Sequence, residues 1–298
     1  MPVAGKEFFT PLRYPGGKGK FSKFIKDIIK RNNLLDGHYV EPYAGGAGVA
    51  LELLCTEYVS TIHINDADPA IYSFWVSVLD HTDDLCQMIR AVSVNIDSWY
   101  KQKEIISSTE KHSVLEVGFA AFFLNRVNRS GILKAGVIGG KKQLGKWKLD
   151  ARYNKEDLIK RIKKISSFRD RIKVYNLDAV ELLTKIVPDL PSNCLIYLDP
   201  PYYVNGAGLY RNFYTHNDHV EICDVLSNVN HPWIVSYDNV SEIKNIYQGY
   251  KQDEYFLSYT AQVKKKGSEV MIYGPGLVGT KFESNVENHN LDVADIDA

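Results

Sequence analysis

The chain is poor in the features that mark an oxidising or membrane setting. It has four cysteines, Cys55, Cys86, Cys194 and Cys223, and none forms a Cys-x-x-Cys pair. That argues against a zinc site or a thioredoxin-like redox centre. Cys55 and Cys194 lie in apolar runs and read as small core residues rather than nucleophiles. No apolar run approaches the roughly 18–20 residues that span a bilayer. The opening Met-Pro-Val-Ala-Gly-Lys lacks the apolar core of a signal peptide. These absences predict a cytoplasmic protein with no membrane partner. An excess of either charge is also missing, since 36 Lys and Arg balance 36 Asp and Glu. By itself that total does not suggest a nucleic-acid binder.

What is present is a globular composition, with 45% hydrophobic and 24% charged residues in 298. This suits one large domain, or one domain with an insertion. The neutral total conceals an asymmetry. From Lys134 to Lys173 basic residues far outnumber acids, whereas the chain after Phe282 carries Glu283, Glu287, Asp292, Asp295 and Asp297 and no Lys or Arg. The first stretch reads either as a solvated helix face or as a phosphate-binding surface. Residues 283–298 read as a flexible acidic tail. No internal repeat is present.

Hydrophobic patterning alternates strand and helix. Apolar residues at Phe21, Phe24, Ile25, Ile28 and Ile29 have helical spacing. His38-Tyr39-Val40 reads as a buried strand running into Glu41-Pro42-Tyr43-Ala44-Gly45-Gly46-Ala47-Gly48, with a helix over 49–54. Strand, glycine-rich turn and helix together let backbone N–H groups face a ligand at a helix N-terminus. Gly45 and Gly46 are therefore candidate ligand-binding residues. A second strand, 61–64, ends in Asn65-Asp66-Ala67-Asp68. Asp66 lies about 20 residues after the turn, where α/β nucleotide folds place a ribose-binding carboxylate, though it could equally cap the next helix. From 80 to 171 the strand pattern lapses. Helical segments at 85–92, 114–126 and 155–165 flank a Gly- and Lys-rich stretch at 131–148. Strands return at 172–175, 193–198 and 233–237, with a helix at 220–229 and paired strands at 255–259 and 270–273. The expectation is catalytic residues 1–79 and 172–282 interrupted by an inserted domain at 80–171.

The sharpest motif is Asp199-Pro200-Pro201-Tyr202, directly after a near-continuous apolar strand. That is the carboxyl edge of a sheet, where α/β ligand sites lie. An amine attached to a heteroaromatic ring is a poor nucleophile, because its lone pair is delocalised. Asp199 and a backbone carbonyl near Pro200 can accept its two N–H hydrogens and localise that pair toward an incoming methyl group. The prolines stiffen the loop and remove competing donors. Tyr202 offers a face for stacking a base, worth roughly 1–3 kcal/mol. The bland alternative is an ordinary turn, for which Asp and Pro are common.

PLRYPGGK, EPYAGGAGVAL, INDAD and LDPPYY, in that order, resemble the Dam-type (D12 class) adenine-specific DNA methyltransferases. FFLNRVNRSG at 122–131 and KKGSEVMIY at 265–273 extend the resemblance over about 11–275. It implies a Rossmann-like α/β sheet with an inserted, mainly helical target-recognition domain, S-adenosylmethionine as cofactor and duplex DNA as partner. It implies cofactor contacts for Tyr14 and Lys18, ribose binding for Asp66, adenine contact for Asp178 and the catalytic role for Asp199. Glu41 either buttresses the turn or faces the sulfonium. One departure is Ala47, which stands where the family pattern often has its second glycine. The insertion offers Arg126, Arg129, Lys141, Lys142, Lys146, Lys148 and Arg152 for DNA. Tyr210–His219 reads as a loop closing over a flipped base, or as an ordinary surface loop. Neither a metal nor a covalent intermediate is required, and the Pro-Cys dipeptide of cytosine-C5 enzymes is absent. The other readings are an amino-methyltransferase acting on cytosine N4 or RNA, and a silent DNA-binding regulator. A cognate restriction enzyme is a candidate partner.

Overall fold

The computed structural model describes residues 9–13, 19–204, 214–258 and 266–279. Tyr14, Lys18 and the acidic tail expected over 283–298 lie outside the described residues. A seven-stranded sheet organises the rest, in the order β3-β2-β1-β4-β5-β7-β6. The strands are β1 (Gly37–Glu41), β2 (Val59–Asn65), β3 (Ile172–Tyr175), β4 (Cys194–Leu198), β5 (Trp233–Asp238), β6 (Lys251–Ser258) and β7 (Lys266–Tyr273). The first five are parallel, and β7 inserts antiparallel between β5 and β6. This is a Rossmann-like α/β fold. The chain builds outward from β1 through β2 to β3, then returns to add β4 on the other side of β1. A crevice therefore opens at the carboxyl ends of β1 and β4, where the winding reverses.

Side chains alternate between the two faces. Tyr39, Leu195, Tyr197, Ile234 and Met271 join one apolar cluster, whereas Val40, Ile196, Leu198, Val235 and Ile272 join the other. The second face is covered by α8 (Ala179–Lys185), α9 (His216–Leu226) and α10 (Ser241–Ile246). The first is covered by α1 (Gly19–Arg31), α2 (Gly48–Cys55) and α3 (Pro69–Asp80). In α1 the buried apolar residues are Phe21, Phe24, Ile25, Ile28 and Ile29, the stripe that the spacing predicts. Asp68 caps α3 by accepting the Ala70 N–H at 2.9 Å, and Pro69 opens the helix.

Between α3 and β3 come α4 (Thr82–Ala91), α5 (Ile96–Ser107), α6 (Val114–Val127) and α7 (Lys155–Ser166). They share the core of α1–α3 rather than enclosing one of their own. α6 lies so close to α3 that a Cβ on Gly118 would sit 2.5 Å from the Ser73 carbonyl oxygen, so only glycine fits there. α7, basic in sequence, still buries Leu158, Ile159, Ile162 and Ile165. Other boundaries shift from expectation. β6 begins at Lys251 rather than 255, because Lys251-Gln252-Asp253-Glu254 is polar as an edge strand allows. α9 begins at His216, four residues before the expected start. Thr215 and Asp218 form a reciprocal capping box that starts the helix.

One side chain ties three loop ends together. Asn65, buried at the end of β2, donates from Nδ2 to Pro42 O at 2.8 Å and to Leu177 O at 3.0 Å. Its Oδ1 accepts the Leu177 N–H at 2.9 Å, and its backbone carbonyl accepts the Ala44 N–H at 2.8 Å. Asn65→Ala leaves buried backbone groups without these partners, each loss costing about 1–3 kcal/mol. The expected result is destabilisation by roughly 3 kcal/mol or more in urea unfolding. A loss below about 1 kcal/mol, within the net worth of one ordinary hydrogen bond, would show that water or another donor replaces the amide.

Candidate active site

The turn after β1 is held from three sides. Tyr39 donates its hydroxyl to Glu41 Oε1 at 3.1 Å, and the Ala50 N–H donates to the same oxygen at 3.3 Å. Glu41 is thus buried against the first turn of α2, where a carboxylate complements the helix dipole. These two contacts brace the turn. Trp75 Nε1 donates to Gly45 O at 2.9 Å from α3. The backbone enters the left-handed region at Gly45 (φ 48°) and again at Ala47 (φ 47°). Glycine adopts this conformation freely, whereas an alanine there costs roughly 1–2 kcal/mol. The departure at Ala47 therefore changes the strain of the turn, not its path.

Asp66 faces this turn. Its Oδ2 accepts the Gly45 N–H at 3.0 Å and its Oδ1 accepts the Asp68 N–H at 2.9 Å. Burial pushes its carboxyl up to about 7, against the lowering effect of those two N–H groups. On the neighbouring loop Asn176 Nδ2 donates to Asp66 O at 2.8 Å. Asp178 is exposed and caps α8 through the Val180 N–H at 2.8 Å.

The Asp199–Tyr202 segment leaves β4 beside β5 and is gripped by residues from β5, β6 and β7. Ser236 Oγ donates to Asp199 Oδ1 at 2.8 Å. Pro200 and Pro201 are buried. Tyr202 donates its hydroxyl to Glu269 Oε1 at 2.6 Å, and Tyr255 donates to the other oxygen of Glu269. Asp238, at the end of β5, accepts the N–H groups of Tyr203 at 2.9 Å and Val204 at 3.0 Å. The only sequence signal for Ser236 and Asp238 is a polar residue in an otherwise apolar strand, whereas Glu269 falls within KKGSEVMIY at 265–273.

Behind this loop lies an aromatic group. His219 is fully buried, shares a hydrogen bond between Nδ1 and Tyr237 OH at 3.0 Å, and packs against Tyr203 and Tyr214. Burial lowers its pKa. Tyr43 and Tyr214 share a hydroxyl hydrogen bond of 2.9 Å, which links the turn after β1 to the entry of α9. Residues 210–213 of the segment expected to close over a base lie outside the described residues. Its last residues belong to α9.

The basic stretch is a loop ordered by its own backbone. Gln143 donates from Nε2 to Ile138 O at 2.8 Å and Gly140 O at 2.7 Å, and accepts the Leu149 N–H at 2.9 Å. Arg129, Lys141, Lys142, Lys146, Lys148 and Arg152 are exposed on or beside it. Among them stand Leu144, 81% exposed, and Trp147, 64% exposed. Arg126, expected to face DNA, uses its guanidinium on backbone carbonyls. Its guanidinium donates to Pro11 O at 3.3 Å and from Nε to Arg152 O at 2.7 Å, and burial lowers its pKa to about 10. It fastens the N-terminal segment to the base of this loop. That segment runs from Thr10, beside Gly48, to Arg13, whose N–H donates to Asn125 Oδ1 at 2.7 Å. It connects the basic loop to the turn after β1. Among the described residues no helix is long and apolar enough to cross a membrane.

The family model of the D12 class N6 adenine-specific DNA methyltransferases matches residues 14–264. No curated protein matches the chain. Similar solved structures include yhhF of Escherichia coli, assigned as a methyltransferase, at 10% identity over 89% of this chain and 90% of that one, with TM-score 0.38. Precorrin-6y C5,15-methyltransferase of Geobacter metallireducens shows 9% identity over 92% and 96%, with TM-score 0.38. TrmK of M. capricolum, in complex with S-adenosyl-homocysteine, shows 8% identity over 84% and 67%, with TM-score 0.36. At these identities and TM-scores, the acceptors of those proteins say nothing of the acceptor here.

The state of Asp66 carries a pH dependence. From its ordinary value of 3.8 up to about 7, the folded chain holds a proton that the unfolded chain has released. The stability this group contributes is full below its ordinary value and is lost as pH rises through about 7. Urea midpoints should therefore fall between pH 5 and pH 8 more steeply for the wild type than for Asp66→Asn. Equal slopes would mean that the carboxylate ionises in the folded protein as readily as in water.

Proposed function

The chain belongs to the D12 class of N6 adenine-specific DNA methyltransferases, and from that premise we propose that it methylates the exocyclic N6 of an adenine flipped out of duplex DNA. The observation that carries this reading is the Asp199–Tyr202 segment, held at the reversal of the sheet with its acid and its aromatic ring each gripped by a separate partner. The cofactor is S-adenosylmethionine, which supplies an electrophilic methyl group on a sulfonium. The residues present fit it. A half-buried carboxylate, Asp66, stands beside a tight turn at the N-terminus of α2, as binding of a ribose diol requires. Gly45 and Gly46 permit close backbone approach, Glu41 braces the turn, and Asp178 lies on the adjoining loop.

In this reading Asp199 and the carbonyl of Pro200 accept the two N–H hydrogens of the adenine amine. Held there, the amine would direct its lone pair at the methyl group that bound S-adenosylmethionine would supply, with the thioether as leaving group. The extra proton on nitrogen leaves through Asp199 to solvent. Catalysis rests on positioning and preorganised hydrogen bonds. Tyr202, fixed through Glu269, supports the base. Removing the adenine from its stack costs a few kcal/mol, which the surface at 80–171 offsets by binding the duplex. Arg129, Lys141, Lys142, Lys146, Lys148 and Arg152 neutralise phosphates. Leu144 and Trp147 among these lysines give the interleaving of apolar and basic groups that nucleic-acid surfaces use. Residues 1–79 and 172–282 then carry the chemistry.

Incubation of purified protein with unmethylated duplex DNA and isotopically labelled cofactor, followed by base analysis, tests the acceptor. Label in N6-methyladenine is expected, and label confined to N4-methylcytosine would overturn the reading. Asp199→Ala should lower the rate by roughly 10²–10³-fold or more while cofactor affinity stays within a few-fold. Separately, changing Lys141, Lys142 and Lys146 together to Ala should reduce the slope of log affinity against log salt by roughly 2–3. An unchanged slope would place the phosphate contacts elsewhere.

A further inference from the structure

We propose that Ser236 and Tyr197 form a one-way hydroxyl relay that positions the Asp199 carboxylate for methyl transfer. The inference rests on the reading of Asp199 given above. It starts from an oddity of β5. In Trp233-Ile234-Val235-Ser236-Tyr237-Asp238 every residue is buried, and Ser236 is 1% exposed. A buried hydroxyl is costly unless it is hydrogen-bonded. Ser236 has two hydroxyl-borne contacts, to Asp199 Oδ1 at 2.8 Å and to Tyr197 OH at 2.8 Å.

The chemistry of the three groups fixes the direction. Serine carries a single hydroxyl proton, and an ionised carboxylate only accepts. Ser236 therefore donates to Asp199, and Tyr197 must donate to Ser236. Tyr197 is a permanent donor, since burial first, and then the nearby Asp199, Glu269 and Glu41, hold its phenol far above the ordinary range. Its ring is clamped by Phe21, with centroids 4.7 Å apart. The β4–β5 register pairs Tyr197 with Ile234 and Leu198 with Val235, so continuing it sets Asp199 opposite Ser236. Tyr197, Asp199 and Ser236 thus share one sheet face, and the relay is built into strand pairing rather than into a loop.

The relay holds one carboxylate oxygen and thereby the plane of the group. The carboxylate is oriented before the amine arrives, and no reorganisation is needed at the moment of transfer. Both hydroxyls act through Asp199, so Ser236 and Tyr197 are positioning residues. A purely structural serine would affect folding without singling out the transfer step.

Single-turnover methyl transfer to duplex DNA, cofactor affinity and crystal structures of Ser236→Ala, Ser236→Thr, Tyr197→Phe and the Ser236→Ala/Tyr197→Phe double variant test this. Ser236→Ala should slow transfer roughly 10–100-fold, in line with small misplacements of reacting groups, with cofactor affinity within about threefold. Ser236→Thr, which keeps the hydroxyl, should recover most of the rate. Tyr197→Phe should slow transfer less, and should cost nothing further in the Ser236→Ala background, as expected for two groups acting in series. Wild-type rates for Ser236→Ala, or losses that multiply in the double variant, would overturn the relay. If the wild type fails to label DNA, the acceptor reading fails, and the relay is then decided by the structure of Ser236→Ala. A rotated Asp199 carboxylate would support it, and an unmoved one would overturn it.

Discussion

The site depends on one buried amide. Asn65 uses its side chain on both the loop after β1 and the loop after β3, while its backbone holds Ala44 of the first. Three parallel strands would otherwise end in independent loops, each with unpaired backbone groups at a sheet edge. By satisfying those groups with one residue, the fold sets the spacing between the glycine turn, Asp66 and the approach to α8. Asp66, next in sequence, can then reach the Gly45 N–H. The geometry around Asp66 is a consequence of that closure.

The carboxyl edge of the sheet gathers acids, and each is stabilised in its own way. Glu41 takes a helix N–H and a phenol, Asp66 two loop N–H groups, and Asp238 the N–H groups after the Pro-Pro turn. Glu269 takes the phenols of Tyr202 and Tyr255, and Asp199 takes the hydroxyl of Ser236. Burying a carboxylate is expensive unless donors meet it, so these donors are as much a part of the site as the acids. At Asp66 burial outweighs its two N–H donors, which is why its carboxyl is pushed up to about 7.

Legibility in the sequence followed physical locality. The α/β alternation, the strand carrying Asp199 and the turn at 41–48 were readable because each is a short-range pattern of apolar spacing and small residues. The polar half of β6 was not, since its edge position tolerates residues that an interior strand would exclude. The backbone contacts of Arg126 were not legible for a related reason. A basic residue in a basic stretch reads as surface, and only packing shows Pro11 and Arg152 carbonyls converging on its guanidinium. Ser236 and Asp238 gave no more than a polar residue in an apolar run, and the motif that holds Glu269 did not show its role, because the partners of these three lie 14 to 67 residues away.

By itself the sequence determined the order of the elements, the family and the identity of the motif residues, since these reside in local spacing and composition. Tertiary structure alone decided which donor meets which acid. It also decided that the helices between α3 and β3 share the main core, and that Ala47 takes a left-handed backbone. Hydrogen bonds act over about 3 Å of space, whatever the distance along the chain. The pairings that shape this site therefore exist only once the strands have set their register.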